Sequence, residues 1–150
     1  MPSRAIRTPL GWVSLTEADG AITASSWRRA GQDETPLLAE AERQLAAYFE
    51  DRLRSFDLPL RPQGDVLALA VAEAMRSIPF GRTREYGEIA RSLGASPRDV
   101  GAACGRNAIA ILIPCHRVVG ATGLGGFSAP GGIETKIALL RHEGAYSLLL

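Results

Sequence analysis

The segment that most constrains the fold of this chain runs from Ile109 to Val119, where five uncharged residues lead directly into Pro114, Cys115 and His116. A short apolar run rich in β-branched residues predicts a buried strand or extended segment, and a proline ends it because proline lacks a backbone donor. Cys115 is therefore expected where a buried core meets a surface. The imidazole and guanidinium that follow it predict a lowered pKa and a thiolate, as in nucleophilic cysteines.

The same pattern has a second interpretation, because a free cysteine is also a common small core residue. His116 follows Cys115 directly, and neighbouring side chains in an extended chain point to opposite sides. A turn or a bridging water would have to connect the two groups. A general base also needs a third group that orients it.

Length and composition fit one ordinary globular domain or two small ones, with 150 residues of which 46% are hydrophobic and 22% charged. No apolar run approaches the ~20 residues that span a bilayer, and the N-terminus lacks the apolar segment of a signal peptide. We therefore expect a cytoplasmic protein without a membrane association. The cysteines, Cys104 and Cys115, are too few to suggest a zinc site, so no metal is expected.

Charge is distributed unevenly along the chain. Residues 1–75 carry a formal charge of −3 and residues 76–150 one of +4, and all but one of the 17 basic residues are arginine. Arginine suits bidentate recognition of phosphate, although a GC-rich genome produces the same bias. Charge alone therefore suggests nucleic-acid binding but does not establish it.

The first third of the chain has the pattern of a small α/β domain. Residues 12–27 contain two strand-like runs around an Asp-Gly turn, which predicts a β-hairpin. Thr35 is placed to cap a helix that has a proline in its first turn and an apolar face continuing to Phe56. The Pro- and Gly-containing segment 57–64 predicts a connector, so we place the first domain at residues 1–63 and the second at 64–150.

The second domain begins with three predicted helices. Residues 65–78 are apolar on nearly every side, which predicts a buried helix at the centre of the second domain. Residues 86–93 form a short helix, and Ser96 is the expected N-cap of the next one. Two short helices joined by a tight, Gly-containing turn predict a helix-turn-helix.

The helix after Ser96 has two different faces. Three residues can pack inward: Val100, Ala103 and Cys104. The opposite face has an arginine at its N-terminal end and only small residues after it: Arg98, Gly101, Ala102 and Gly105. Such a face would bring helix-terminal amides close to DNA phosphates and send the arginine into the duplex. It would equally suit close packing against another helix, and the sequence leaves both interpretations open.

The last segment joins a flexible loop to a helix. Residues 120–132 contain six glycines in thirteen positions, and residues 133–142 return to helical spacing. Glu143 follows that helix, where a carboxylate opposes the helix dipole unless a cation meets it. His116 is a candidate for that partner.

These residues together resemble the O6-alkylguanine-DNA alkyltransferases, also called methylated-DNA–protein-cysteine methyltransferases. The resemblance covers roughly residues 64–144 and rests above all on Pro114-Cys-His-Arg-Val118. The other matching positions are Ile78-Pro-Phe-Gly81, Tyr86-Gly-Glu-Ile-Ala90, Arg98, Val100-Gly101, Asn107, Phe127-Ser128 and His142-Glu-Gly144. The resemblance implies an α/β N-terminal domain and a mainly α C-terminal, winged helix-turn-helix-like domain that carries the active-site cysteine.

The resemblance also implies a set of roles for the site residues. Cys115 would accept the alkyl group, and His116, acting through a water and oriented by Glu143, would remove the thiol proton. Tyr86 would donate a hydrogen bond to the leaving base, and Asn107 would order the segment that carries Cys115. The thioether product cannot be reopened, so the protein would act once per molecule and without a cofactor.

The implied partner is double-stranded DNA that contains O6-alkylguanine, bound by a monomer. The nucleotide would be flipped out, with Arg98 filling the gap and Phe127 and Ser128 lining the pocket. The residues expected to contact DNA are Ser96, Arg98, Gly101, Ala102 and Gly105. Two other classes fit parts of the sequence: a non-catalytic binder of alkylated DNA that recruits repair factors, and a cysteine hydrolase.

The chain departs from the family pattern in the helix after the connector. Leu67 and Ala72 stand where the family usually has aromatic rings, and Ala108 and Ala110 stand where prolines are common. Buried rings contribute a large apolar area, so we expect the change of Ala72 to Trp to raise stability.

Overall fold

A computed structural model of the chain describes residues 1–127 and 129–146. The chain divides into two compact units, Met1–Pro62 and Gln63–Leu150. Within the described ranges, no helix is long and apolar enough to cross a membrane.

The first unit is an antiparallel sheet with one helix against it. Its strands are β1 (Ser3–Thr8), β2 (Gly11–Ala18) and β3 (Ala21–Ser26), paired in the order β1-β2-β3. The predicted hairpin corresponds to β2 and β3, and β1 was not predicted. Helix α1 (Pro36–Phe49) packs against β1 and β2.

Helix α1 begins as expected and ends earlier than expected. The Thr35 hydroxyl accepts a hydrogen bond from the backbone N–H of Leu38 at 3.0 Å, which caps the first turn. The apolar face predicted to reach Phe56 stops at Phe49, because Asp51 adopts a left-handed φ of 61° and reverses the chain. The Phe56 ring nevertheless packs beside Tyr48, with 5.2 Å between the ring centroids.

The second unit is mainly helical. Its helices are α2 (Val66–Arg76), α3 (Tyr86–Leu93), α4 (Pro97–Gly105) and α5 (Ile133–His142), and a 3-10 turn spans Cys115–Arg117. Two short parallel strands, β4 (Arg84–Glu85) and β5 (Val118–Val119), pair with each other. These strands were not predicted, because two residues are too few to establish an alternating pattern.

Helix α2 is less buried than its sequence predicted. It packs against α3 and α4, and its buried side chains are Val71, Ala72 and Met75. Val66 is 86% exposed and Leu69 is 43% exposed, so the prediction of a helix buried on every side is wrong. An apolar composition does not fix how many sides of a helix find a packing partner.

Helices α3 and α4 follow each other as predicted. Gly94 ends α3 with a left-handed φ of 66°, which glycine adopts without strain. The Ser96 hydroxyl then accepts a hydrogen bond from the N–H of Asp99 at 3.0 Å and caps α4. The predicted inner residues of α4 are all buried: Val100, Ala103 and Cys104. On the predicted outer face Arg98, Ala102 and Gly105 are exposed, whereas Gly101 is half-buried.

Candidate active site

The segment before Cys115 is buried, as predicted, but it forms a tight turn instead of a strand. Ile109, Ile111 and Ile113 are each at most 1% exposed. The N–H of Ile113 donates back to the carbonyl of Ile109 at 2.9 Å, and Ile111 has a φ of 72°. Positive φ is rare for a β-branched residue and costs free energy, so packing around this turn must stabilise it.

Asn107 holds the two ends of that turn together. Its Nδ2 donates to the carbonyl of Ile113 at 2.9 Å, and its Oδ1 accepts from the N–H of Ile109 at 3.1 Å. Because the side chain satisfies groups at both ends, it stabilises a loop that the backbone alone would not hold. This geometry agrees with the ordering role expected of Asn107.

Cys115 opens a 3-10 turn whose three residues are all buried. The N–H of Cys115 donates to the carbonyl of Ile113 at 2.8 Å, and the N–H of Arg117 donates to the carbonyl of Pro114 at 3.0 Å. The turn removes the extended geometry in which adjacent side chains would point to opposite sides.

His116 and Glu143 form the buried pair that the sequence suggested. Nε2 of His116 lies 2.8 Å from Oε2 of Glu143, and both side chains are fully buried. Burial lowers the pKa of His116 even though the neighbouring carboxylate acts to raise it, so the imidazole is neutral near pH 7. Its Nδ1 is buried and has no hydrogen-bond partner among the described residues.

Arg117 makes a contact with Glu143 that the sequence interpretation missed. Its Nε and Nη2 donate to the two carboxylate oxygens of Glu143 at 2.8 and 2.9 Å, and its Nη1 donates to the carbonyl of Ile78 at 2.7 Å. Burial alone would raise the pKa of Glu143, but the hydrogen bonds from His116 and Arg117 outweigh it and hold that pKa well below its usual range. The sequence feature that could have indicated this contact is Glu143 itself, because a carboxylate at the C-terminal end of a helix needs a cation nearby.

The predicted lowering of the Cys115 pKa is wrong. Burial raises the pKa of this thiol, and a hydrogen bond with Asn107 and the charge of Lys136 only partly oppose the increase. The two residues expected to lower it act elsewhere, because His116 is neutral and Arg117 is held by Glu143. Cys115 is therefore a thiol at neutral pH and needs a base before it can react as a nucleophile.

Lys136, on α5, is a residue that the sequence interpretation missed. It is fully buried, and its Nζ donates to the carbonyls of Val118, Leu124 and Gly126 at 2.7, 2.5 and 3.2 Å. Burial lowers its pKa to about 8, although negative charge on the two cysteines acts to raise it. The signal was a lysine three residues after Ile133 and four before Leu140, which is on the apolar face of the predicted helix.

A cavity of about 370 Å³ brings six of the twelve predicted site residues together. Its lining comprises Tyr86, Gly101, Cys104, Gly105, Asn107, Ala110, Cys115, Gly126 and Phe127. Burial, together with negative charge on Cys104 and Cys115, raises the pKa of Tyr86 to about 12, so its hydroxyl remains a donor. Ser128 lies outside the described residues.

Gly125 packs its backbone directly over Tyr86. It has a φ of 75°, and a Cβ atom at this position would lie 2.8 Å from the Tyr86 hydroxyl oxygen. Only glycine fits such a close approach with that backbone conformation. The glycine-rich loop therefore forms one wall of the cavity at Tyr86.

Helix α4 connects the cavity to an exposed surface. Gly101 and Gly105 line the cavity, while Ser96, Arg98 and Ala102 are exposed on the same helix or at its cap. His116 and Glu143 do not line the cavity, and both are buried. In the described part of the chain, no three or more His, Cys, Asp or Glu residues are grouped to hold a metal ion.

Comparisons with known proteins agree on one family. Residues 67–145 match the family described as 6-O-methylguanine DNA methyltransferase, DNA binding domain. A methylated-DNA–protein-cysteine methyltransferase of Mycolicibacterium paratuberculosis is 40% identical over 155 residues, which cover 96% of this chain and 93% of that protein. One of the same name from Methanosarcina acetivorans is 49% identical over 109 residues, or 71% of this chain and 69% of that protein.

The fold is also similar to that of solved structures. The Mycobacterium tuberculosis OGT in complex with DNA superposes with a TM-score of 0.87 at 38% identity, covering 97% of this chain and 94% of that one. The O6-methylguanine-DNA methyltransferase of Pyrococcus kodakaraensis superposes with a TM-score of 0.62 at 25% identity, covering 95% and 99%. This chain therefore shares its architecture, a small sheet combined with helices, with these solved structures.

Proposed function

Because this chain belongs to the 6-O-methylguanine DNA methyltransferase family, we propose that Cys115 is the sulfur that accepts an alkyl group from DNA. The protein repairs DNA by transferring an alkyl group from methylated DNA to one of its own cysteines. The observation that carries the assignment to Cys115 is that it lines the cavity and is followed directly by His116 of the buried His116–Glu143 pair. Cys104 also lines the cavity, but the histidine of the His116–Glu143 pair follows Cys115 directly in the chain.

The first step of the proposed mechanism is removal of the thiol proton. Glu143 is ionised and accepts a hydrogen bond from Nε2–H of His116, which leaves Nδ1 as the basic nitrogen. The proton passes from Sγ of Cys115 to Nδ1 through a bridging water. The imidazolium that forms is then stabilised by the carboxylate of Glu143.

The second step is a displacement at an sp3 carbon. The thiolate of Cys115 attacks the alkyl carbon, an S–C bond forms and the C–O6 bond breaks. The electron pair of that bond leaves with the guanine, and the Tyr86 hydroxyl donates a hydrogen bond to the base as negative charge develops. The product is a neutral thioether without a leaving group, so each molecule acts once and needs no cofactor.

The substrate we propose is O6-alkylguanine in duplex DNA, flipped out of the stack into the cavity beside Cys115. An alkyl carbon inside the duplex is out of reach of a buried sulfur, which is why the nucleotide must leave the helix. Helix α4 supports this step because its exposed face begins with Arg98 and its Gly101 and Gly105 reach the cavity. Arg98 fills the space that the nucleotide leaves.

The rest of the proposed interface follows from the same helix. Ser96, Gly101, Ala102 and Gly105 lie against the DNA backbone, and Phe127 lines the pocket around the base. The pocket role that the resemblance implies for Ser128 falls outside the described residues. Helices α3 and α4 act as a winged helix-turn-helix-like element within the alkyl-acceptor domain, residues 64–150. The protein binds DNA as a monomer.

The test is to incubate the protein with duplex DNA that carries one O6-methylguanine and to map the product by peptide mass spectrometry. We expect one methyl group per molecule, on the peptide that contains Cys115. Cys115→Ser should abolish the transfer, whereas Cys104→Ser is the matched control that must still show methyl on Cys115. Methyl on Cys104, or guanine released beyond one equivalent, would contradict the proposal.

Two rival functions give different results in the same assay. A non-catalytic binder would retain the methylated duplex without any change in protein mass. A cysteine hydrolase would turn over an ester substrate many times and leave its cysteine unmodified.

A further inference from the structure

A second sulfur lies in the acceptor cavity. Cys104 belongs to α4 and Cys115 to the 3-10 turn, both are free thiols, and both line the same cavity of about 370 Å³. Cys104 is 6% exposed and Cys115 is 8% exposed, so each sulfur-bearing residue keeps a small accessible surface. The chemistry proposed for alkyl transfer uses only one of the two.

The two thiols influence each other electrostatically. Burial, and secondarily the negative charge of an ionised Cys115, raise the pKa of Cys104 to about 12. Ionising both would place two negative charges in one buried cavity, which is costly. A ligand that bonds to both sulfurs and leaves the pair neutral avoids this cost.

The protein offers such a ligand two thiol sulfurs and no larger cluster of metal-binding side chains among the described residues. Among residues 1–127 and 129–146, no group of three or more His, Cys, Asp or Glu is placed to hold a metal ion. Zinc in structural sites takes four ligands, so two thiols do not complete its coordination. The fitting ligand is one that needs only two bonds from the protein.

We propose that Cys104 and Cys115 form a dithiol site for trivalent organic arsenicals, in which arsenic carries one carbon group and two exchangeable hydroxyl groups. Each thiol condenses with one As–OH group: an As–S bond forms, an As–O bond breaks, and the thiol proton leaves in a molecule of water. Nothing is oxidised or reduced. The product is neutral, as the buried cavity favours, and the carbon group occupies part of the cavity.

Bonding to two sulfurs makes the adduct resistant to simple thiols. After the first As–S bond forms, the second forms within one molecule and benefits from a high effective concentration. A monothiol must break both bonds, whereas a small dithiol can take the arsenic in one exchange. The site shares Cys115 with the proposed function, but bridging does not depend on alkyl transfer.

The experiment uses the full chain with one equivalent of phenylarsonous acid, followed by intact mass measurement and tryptic mapping. We expect one phenylarsenic unit per chain with loss of two water molecules. Tryptic cleavage after Arg98, Arg106 and Arg117 separates the two cysteines, so the arsenic should join peptides 99–106 and 107–117. The adduct should survive excess mercaptoethanol and be removed by dimercaptopropanol.

Matched variants show whether both sulfurs are needed. Cys104→Ser and Cys115→Ser should each bind the arsenical through one bond and lose it to mercaptoethanol, and the double variant should not bind it. Two arsenic units on the native chain, or unlinked tryptic peptides, would overturn the proposal. So would an adduct on either single variant that resists mercaptoethanol as well as that of the native chain.

The outcomes separate this proposal from the proposed function. A chain that bridges arsenic across Cys104 and Cys115 but accepts no methyl group from DNA would overturn only the alkyl-acceptor assignment. A chain that methylates Cys115 but takes arsenic on one sulfur would overturn only the dithiol site.

Discussion

Arg117 binds both carboxylate oxygens of Glu143, at 2.8 and 2.9 Å, one residue along the chain from the histidine that shares the same carboxylate. The pairing determines what each group does. Arg117 keeps Glu143 ionised, the ionised carboxylate fixes His116 with Nε2 facing it, and Nδ1 is left as the basic nitrogen. In the proposed mechanism Arg117, two residues after Cys115, thus acts on the carboxylate that orients His116 and not on the sulfur.

Replacing Arg117 with methionine should therefore impair both stability and repair. Removing one partner of a buried ion pair leaves an uncompensated charge and costs about 3–5 kcal/mol. The rate of alkyl transfer should also fall at low pH, because the pKa of Glu143 rises and the carboxylate becomes protonated. Urea unfolding and a pH–rate profile measure the two effects, and Arg117→Lys should recover part of each. An unchanged acid limb in Arg117→Met would contradict the positioning role.

The depressed pKa of Glu143 also makes stability depend on pH. A carboxyl whose pKa is lower in the folded than in the unfolded state stabilises the fold above its unfolded pKa, near its ordinary value of 4.5, and loses that contribution as pH falls towards the folded value. The native protein should lose stability on acidification below about pH 5. Glu143→Gln should be less stable at neutral pH but should lack this part of the pH dependence. Free energies of unfolding between pH 3 and pH 7 provide the test.

Lys136 predicts a second pH dependence of stability, on the alkaline side, which comes from the burial of a cation. Burial lowers its pKa from 10.5 in the unfolded chain to about 8 in the fold. Between these values the unfolded state binds more protons at this lysine, so the contribution of Lys136 to stability should rise as pH increases from 8 to 10.5. Cys104 and Tyr86, whose pKa values burial raises, contribute in the opposite direction, so the difference between the native chain and a Lys136 variant isolates the effect. Lys136→Met should remove this rise and loosen the loop whose carbonyls Lys136 binds, which hydrogen exchange at Leu124 and Gly126 would detect. Protection equal to that of the native loop would show that the lysine does not hold it.

The structure suggests a second expectation for Ala72, opposite to the one drawn from the sequence. The family aromatic missing at this position suggested room for a ring, but Ala72 is only 5% exposed and packs within the second unit. A tryptophan there would overpack the site and should lower stability by about 1–3 kcal/mol. Thermal unfolding of Ala72→Trp decides between the two expectations, with exposed Leu69→Trp as the matched control on the same helix.

The sequence predicted the His116–Glu143 contact better than it predicted the environment of the Cys115 thiol. His116 and Glu143 could be paired because a carboxylate at a helix end needs a cation, and Asn107 could be placed by resemblance. The pKa of Cys115 could not be predicted, because burial is a property of the folded chain and outweighs the cations that are adjacent in sequence. Lys136 was missed for a related reason, since its carbonyl partners lie in the two-residue strand β5 and on the glycine-rich loop, neither of which has a periodic pattern.

Arg98 leads the exposed face of α4, beside the cavity that holds Cys115, and this placement separates two kinds of defect. If Arg98 stabilises the flipped nucleotide, Arg98→Ala should slow repair of a lesion in duplex DNA severely, because extrahelical bases cost a few kcal/mol. Repair of free O6-methylguanine should hardly change, since the thiol and its base are untouched. Arg91→Ala, which removes an exposed arginine from α3, is the control for charge alone and should have a small effect on both substrates.

The small size of the side chains on the exposed face of α4 can be tested separately from Arg98. Ala102 is exposed on α4 and does not line the cavity, so Ala102→Leu should hold the helix away from the DNA backbone without altering the pocket. Binding should weaken for damaged and undamaged duplexes alike, and the rate on the free base should stay the same. Parallel measurements of duplex affinity and of both repair rates distinguish the two variants. Equal losses on free base and duplex for Arg98→Ala would place that residue in the fold or in the active site, and α4 could then no longer be assigned as the helix that holds the flipped state open.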